Sequence, residues 1–292
     1  MRRICLCLLL IASPTIAEEA PITRLAGVSF TVADIEKARS FYSGILGLEE
    51  AFSLKHSDGS IQTVYFKIND DQYLDFSPGS VEGFRLDRIT FAVPGGKPPQ
   101  LALLPVVSAL AKRGIATGGI EKTPEGDMAL AIRDPDRIEV RFVHRLPGSL
   151  FSENRAKSLG QARASDHLHH VALAADSEQA SMALFRDALG MTEFSRGPST
   201  EDLRWINLSV PGSSGDLVEF MVTKSQPPAA RQHIGFEVPN IQETFKQLTE
   251  RGLKQQNRPF AAAIGRWIWF IRDPNNIRIE FMGQPTDKVE AK

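Results

Sequence analysis

Hydrophobic and polar residues alternate in short runs along most of the chain, and this period of two predicts β-strands. Two such runs, at Val28 and at Val171, each lead into a polar segment typical of a helix start. Both predicted helices end at a glycine, Gly47 in the first and Gly190 in the second. More alternating runs follow, so each unit begins with a strand and a helix and continues as strands.

A second kind of unit follows each of these two. Residues 88–94 match residues 233–239, and the turn at 132–136 matches the turn at 271–275. Both turns contain Asp-Pro, in which proline presets its own φ and the aspartate side chain bonds nearby backbone. Each turn therefore predicts a last strand directly after it, and the chain consists of four βαβββ modules.

The repeat predicts an α+β fold in which the four modules pair into two domains. The chain has 292 residues, about twice the ~150 typical of one domain. We place the first domain at residues 24–145 and the second at 167–284. A segment of low hydrophobicity, 146–166, links them, and residues 285–292 form a tail.

The amino terminus has the pattern of a signal peptide. Residues 1–3 are positively charged, 4–12 are apolar, and small residues follow. We predict a signal peptide at residues 1–17 and an exported protein, periplasmic or secreted. The apolar run is shorter than the ~20 residues that span a bilayer. Cys5 and Cys7 both lie in this segment, so we expect a mature chain without disulfides and without a membrane anchor.

Charge narrows the class of partner. The chain has 34 basic and 35 acidic residues, with a formal net charge of -1. This balance is untypical of a nucleic-acid-binding surface. We therefore expect a small-molecule substrate. A homo-oligomer is possible on the sequence alone.

With these four modules the chain resembles the vicinal oxygen chelate superfamily, which includes glyoxalase I, extradiol dioxygenases and bleomycin resistance proteins. In that superfamily two βαβββ modules form an open cup. The resemblance implies that a divalent metal ion binds inside the cup, held by residues on the first and last strand of each module.

In the second half, the residues at the superfamily's ligand positions are His170, Glu219, His233 and Glu280. Their order is similar to the ligand pattern of glyoxalase I. The resemblance implies one divalent metal ion per chain, and this donor set suits Zn, Ni, Mn or Fe. His169 is the alternative ligand if the strand register shifts by one residue.

The first half has different residues at the same positions: Gly27, Asp75, Arg88 and Arg141. Two arginines and one carboxylate cannot hold a cation. We predict instead that Asp75, Arg88 and Arg141 converge in a metal-free pseudo-site, where ion pairs satisfy their charges. We expect Glu139 on the opposite face of its strand.

The ligand set favours a metal-dependent isomerase or lyase of the glyoxalase type. Two imidazoles and two carboxylates leave two adjacent positions of an octahedral ion open to vicinal oxygens of a small substrate. The resemblance implies that Glu280 or Glu219 moves the proton. Glutathione as cosubstrate is not expected, since Ala174 and Thr223 occupy two positions where the family contacts it.

Two other functions remain as alternatives. An extradiol dioxygenase would hold iron with His170, His233 and Glu280, but then Glu219 would occupy a position that oxygen needs. A non-catalytic binding protein of the bleomycin-resistance type would hold a flat ligand in the cup without a metal ion.

Three further residues are candidates for substrate contact. Trp205 and Trp267 lie on predicted strands and would stack a ligand or fill the core. Glu237 shares the face of His233 and would line the cup or pair with a base such as Arg266.

Overall fold

The computed structural model describes residues 20–96, 98–197, 204–223, 226–254, 257–262 and 265–283. The predicted signal peptide, the start of the chain before residue 20 and the predicted tail lie outside the described residues. The described chain forms two eight-stranded sheets. The predicted α+β fold of four βαβββ modules is therefore confirmed.

The first sheet and its helices come from the amino-terminal half. Its strands are β1 (Arg24–Val32), β2 (Glu49–Lys55), β3 (Ile61–Lys67), β4 (Tyr73–Pro78), β5 (Phe84–Ala92), β6 (Glu121–Lys122), β7 (Met128–Arg133) and β8 (Glu139–His144). Its helices are α1 (Ile35–Arg39), which continues as a π-helical segment (Ser40–Ile45), α2 (Pro99–Ala102) and α3 (Leu104–Ala111).

The second half repeats this order after a short helix, α4 (Leu150–Glu153), in the segment between the halves. Its strands are β9 (His167–Ala175), β10 (Thr192–Arg196), β11 (Arg204–Ser209), β12 (Leu217–Val222), β13 (His233–Val238), β14 (Phe260–Ala261), β15 (Trp267–Arg272) and β16 (Arg278–Gly283). Its helices are α5 (Glu178–Phe185), α6 (Pro228–Arg231) and α7 (Ile241–Glu250).

Both sheets have the same topology. The order in the first is β2-β3-β4-β1-β5-β8-β7-β6, and the second repeats it with β10-β11-β12-β9-β13-β16-β15-β14. The first and last strands of each module are parallel neighbours, and the first strands of the two modules pair antiparallel in the centre. One face of each sheet packs with the helices in the hydrophobic core. The other face is free to form a site.

Local sequence explains where the longer helices begin and end. Asp34, Ser177 and Asn240 each accept a backbone hydrogen bond from the first turn of the helix that follows, as N-cap residues do. Gly47 and Gly190 have φ values of +71° and +74°, a left-handed conformation that favours glycine. Among the described residues, no helix combines the length and apolar character needed to cross a membrane.

Polar contacts related by the repeat join the two domains. Gln72 and Asp216 occupy equivalent places, each just before the last strand of its module. The Gln72 side chain bonds both backbone groups of Leu168 at 2.9 Å, and the Asp216 carboxylate accepts from the Leu25 amide at 2.9 Å. The two central strands, β1 and β9, are therefore held near each other.

Candidate metal centre and cavity

Strand register brings Glu219 and His233 together in the second sheet. Glu219 on β12 and His233 on β13 are both cross-strand neighbours of Ala172 on β9, which lies between them. Side chains on adjacent strands at one register level point to the same face. The small alanine leaves the space above it to the imidazole and the carboxylate.

The other two predicted ligands lie at a neighbouring register level of the same sheet. His170 on β9 and Glu280 on β16 flank Gly235 of β13. A Cβ atom on Gly235 would stand only 1.9 Å from the His170 ring. Glycine is therefore required here, because the His170 imidazole lies across this position.

The four side chains converge at the floor of the cup. His170, Glu219 and His233 offer ligand atoms that all lie within 4.8 Å of one another. The Glu280 carboxylate lies 3.2 Å from Nε2 of His233 and 3.5 Å from Nε2 of His170. Both Nε2 atoms are buried without a hydrogen-bond partner among the described residues. Two unpartnered imidazole nitrogens beside two carboxylates fit a divalent metal ion.

The carboxylates and imidazoles also shift each other's protonation. Burial lowers the pKa of His233, but contacts with Glu219 and Glu280 outweigh burial and raise it to about 9. Burial raises the pKa of Glu280, but contacts with His170 and His233 outweigh it and hold this pKa well below its usual range. The cluster without metal therefore retains a proton that a metal ion would displace.

A β-bulge adds a third imidazole. In the pairing of β9 with β13, Gly235 is opposite His170 and the next residue, Phe236, is opposite Leu168, so His169 is the extra residue. His169 lines the same cavity as His170, and their Nδ1 atoms are 3.0 Å apart. Parity alone would place neighbouring residues on opposite faces. The bulge is the reason that both face the cup.

The hydrogen bond between His169 and His170 affects which nitrogen of His170 is available to a metal ion. Only one of the two facing Nδ1 atoms can carry the hydrogen of their bond. Burial, followed by the nearby His170, lowers the pKa of His169 to about 2, so this imidazole is neutral and can accept. If the Nδ1–H of His170 donates to His169, the Nε2 lone pair of His170 faces the cluster.

The cluster lies in a cavity of about 640 Å³. This volume is in the range typical of small-molecule sites. Trp205 lines the cavity, a position from which it can stack against a ligand. Much of the remaining wall is apolar, with Phe194, Leu217, Met221, Ile268, Phe270 and Met282.

Two other candidates for substrate contact take different positions. Trp267 packs against the hydrophobic core and is not among the cavity residues, so of its two expected roles the structure favours filling the core. It shares its strand face with the buried Trp269, whereas Ile268 faces the cavity. The Glu237 carboxylate lies 3.2 Å from Arg266 and, on its other oxygen, 3.2 Å from His167.

The sequence analysis did not name several cavity residues, although the alternation of side chains along a strand could have identified some of them. Met221 is two residues from Glu219, and Arg278 and Met282 are each two from Glu280. Period two therefore assigns them to the ligand face once that face is known. Asn207 and Phe270 lie on strands without a ligand, so only the sheet register identifies them.

The structure also brings the predicted pseudo-site residues together. Asp75 accepts hydrogen bonds from Arg88 at 2.9 Å and from Ser29 at 2.7 Å. Burial raises the pKa of Asp75, and Arg88 opposes this shift in part. Arg141 is 2.9 Å from Glu139. Glu139 therefore lies on the same face, and its expected orientation is wrong because residues two apart in a strand share a face.

Large side chains fill this first cup. The cavity at the pseudo-site is only about 30 Å³ in volume and includes Asp75, Arg88 and Arg141 in its wall. Phe151 of α4 closes it, since its ring packs on Tyr65 and Tyr73, 5.6 and 4.8 Å away between centroids. The segment expected to be only a linker therefore completes the first domain.

Comparisons with known proteins agree with this architecture. A family model described as Glyoxalase/Bleomycin resistance protein/Dioxygenase superfamily matches residues 167–281. The second domain thus belongs to this superfamily, which is the vicinal oxygen chelate superfamily, and the first domain repeats its fold. No curated protein sequence gives a significant match.

Solved structures with the same fold come from both enzyme branches. The Mn(II)-bound glyoxalase from Novosphingobium aromaticivorans is 15% identical with a TM-score of 0.66, over 90% of this chain and 83% of that one. The 2,3-dioxygenase LapB from Pseudomonas sp. KL28 is 17% identical with a TM-score of 0.71, over 93% and 95%. A variant of homoprotocatechuate 2,3-dioxygenase from Brevibacterium fuscum is 19% identical with a TM-score of 0.66, over 93% and 74%. At these identities the likeness shows a shared fold.

Proposed function

We propose that the second domain is a metal-dependent isomerase or lyase of the glyoxalase type, acting on a small substrate with vicinal oxygens. The observation that carries the proposal is the cluster of His170, Glu219 and His233 within 4.8 Å, with Glu280 against both imidazoles. These four residues would hold one divalent ion, Zn, Ni, Mn or Fe. When bound, the ion would supply Lewis-acid polarisation of the substrate oxygens.

The chain's own side chains account for the remaining steps. The apolar wall around Trp205 and Phe270 excludes water and holds the substrate body. Glu219 or Glu280 takes a proton from the carbon beside one substrate oxygen and returns it to the neighbouring carbon. Glu219 is the more accessible of the two carboxylates, because its side chain is 14% exposed against 10% for Glu280.

Metal content of the purified protein tests the first part of the proposal. Elemental analysis should find one divalent ion per chain, and removal by a chelator followed by titration should restore it. A protein that binds no divalent ion at micromolar concentration would overturn the proposal in favour of a metal-free binding protein.

Proton transfer can be tested without the natural substrate. Dihydroxyacetone has vicinal oxygens, and exchange of its carbon-bound hydrogens with deuterium oxide is visible by NMR. The metal-loaded protein should accelerate this exchange, while Glu219→Gln should bind metal less tightly and exchange more slowly. Wild-type exchange no faster than that of the metal-free protein would contradict isomerase chemistry.

Extradiol ring cleavage is the second candidate, and His169 is the observation that favours it. This residue places a third imidazole in the cavity, beside the residues that would hold iron. A dioxygenase would hold iron on His170, His233 and Glu280 alone. Oxygen consumption by the iron-loaded protein with catechol, undiminished in Glu219→Gln, would establish this candidate and exclude the first.

Export and the class of partner are also proposals. The charged, apolar and small segments of residues 1–17 support cleavage of a signal peptide and a periplasmic or secreted protein. Amino-terminal sequencing of the protein from the native host should find a start near residue 18. The partner we propose is a small molecule, because the net charge of -1 does not favour nucleic acid.

A further inference from the structure

One cation in the cavity of the second domain, Arg278, forms no ion pair with a carboxylate of the described residues. Arg278 is the direct neighbour of His233 in the pairing of β13 with β16, and its side chain lines the cavity. The guanidinium carbon lies 3.9 Å from the centroid of the Phe270 ring. No ion pair joins Arg278 to a carboxylate within the part of the chain that the structure describes.

The other arginines near the two cups are neutralised. Arg266, also in this cavity, pairs with Glu237 at 3.2 Å. In the first domain Arg88 pairs with Asp75, and Arg141 pairs with Glu139. Glu280 and Glu219 attract the Arg278 guanidinium only from beyond ion-pair distance. Because partly buried charges require partners, this guanidinium is suited to bind an anionic group of a ligand.

Charge and shape limit what this anion is. A divalent ion with Glu219 and Glu280 is neutral as a unit, so Arg278 leaves the loaded cavity with one positive charge. One charge matches a carboxylate better than a phosphate dianion. The guanidinium also lies over Phe270, whose ring is 6.2 Å from that of His233, so the anion site adjoins the metal cluster.

We infer that Arg278 binds a carboxylate group of the substrate, which carries this group together with its vicinal oxygens on a flat or apolar body. The body would lie against Phe270 and Trp205, and the carboxylate would form a charge-assisted hydrogen bond with the guanidinium. This inference rests on the proposed function, because the vicinal oxygens need the metal cluster.

Two matched probes test the inference. 3,4-Dihydroxybenzoate and 3,4-dihydroxybenzamide have the same vicinal oxygens and ring, but only the first has a carboxylate. Zn²⁺ has no redox chemistry, so binding to the zinc-loaded protein can be measured by calorimetry without turnover. We expect the benzoate to bind roughly tenfold to hundredfold more tightly than the benzamide. Arg278→Gln should abolish this preference, and Arg278→Lys should retain part of it.

Controls separate this inference from the proposed function. Arg186→Gln, at an exposed position after α5, should keep the wild-type preference, and Arg278→Gln should still bind one zinc ion. Equal binding of both probes by the zinc-loaded wild type would overturn the inference and leave the metal site intact. Equal weakening of both probes in Arg278→Gln would also overturn it, since Arg278 would then act on the vicinal oxygens. Absence of zinc binding in the wild type would instead mark failure of the proposed function.

Discussion

The two domains have the same strand order, yet one cup is open and the other is filled. The cavity volume is about 640 Å³ in the second domain and about 30 Å³ in the first. Equivalent register positions explain this difference. Asn207, the cross-strand partner of Glu219, corresponds to Tyr65, the partner of Asp75, and Ser195 beside Asn207 corresponds to Phe52.

Backbone packing reinforces the difference. In the second domain His170 lies over Gly235, whereas in the first domain Gly27 takes the place of histidine and Thr90 that of glycine. A Cβ atom on Gly27 would be only 2.8 Å from the backbone oxygen of Tyr73. The first domain therefore cannot accept a ligand side chain there without backbone movement. Within one fold, a few substitutions that change side-chain size therefore distinguish a domain with an open cavity from a domain whose cup is filled.

The largest expected effect comes from exchanging equivalent residues for alanine in the two domains. His233→Ala should abolish stoichiometric metal binding, because it removes one of the two unpartnered Nε2 donors. Elemental analysis and calorimetric titration measure this loss.

Arg88→Ala is the matched variant in the first domain. It should keep one metal ion per chain but unfold more easily, because it leaves the buried Asp75 carboxylate without its guanidinium; breaking such pairs costs about 3–5 kcal/mol. Full metal occupancy in His233→Ala would show that the metal site lies elsewhere.

His169 should contribute to metal affinity through His170. His169→Leu removes the acceptor 3.0 Å from Nδ1 of His170. Loss of such supporting hydrogen bonds typically weakens metal binding by about 10–100-fold. His169→Asn offers a shorter acceptor and should recover part of the affinity. Identical dissociation constants for the leucine variant and the wild type, in a metal titration, would exclude this role.

Phe151 should stabilise the first domain and leave the second unchanged. Its half-buried ring contacts Tyr65, Tyr73 and the Arg145 guanidinium. Phe151→Ala should lower the free energy of unfolding by roughly 2–3 kcal/mol, less than for a fully buried phenylalanine. Urea unfolding measures this change, and metal titration is the control. A variant as stable as the wild type would mean that α4 does not support the first cup.

The smallest expected effect concerns the two Asp-Pro turns. Burial raises the pKa of Asp134 to about 7 and that of Asp273 to about 6. An aspartate with a raised pKa favours the folded state at low pH, and this contribution is lost as pH rises toward the folded pKa.

The asparagine variants should therefore become more stable relative to the wild type as pH rises from 4, by at most about 1.4 kcal/mol per pH unit. The gain should level off near pH 7 for Asp134→Asn and near pH 6 for Asp273→Asn. Urea midpoints of the metal-free proteins across this range measure it, and a difference that does not vary with pH would contradict the raised pKa values.

The sequence by itself determined the four modules and the face on which the second-half ligand candidates lie. Both follow from local rules: period two, helix caps and turns repeat in each module, and the Asp-Pro turn sets the last strand. For the same reason the residues of the pseudo-site could be named before their contacts were known.

Only the tertiary structure decided which neighbours complete each site. The bulge at His169 and the insertion of Phe151 depend on contacts between strands and segments far apart in the chain. Trp267 and Trp205 illustrate the same limit: both fit an alternating strand, and only the sheet around them assigns one to the core and the other to the cavity. Periodicity defines two faces for each strand, but the packing of the sheet determines which face is buried and which is open.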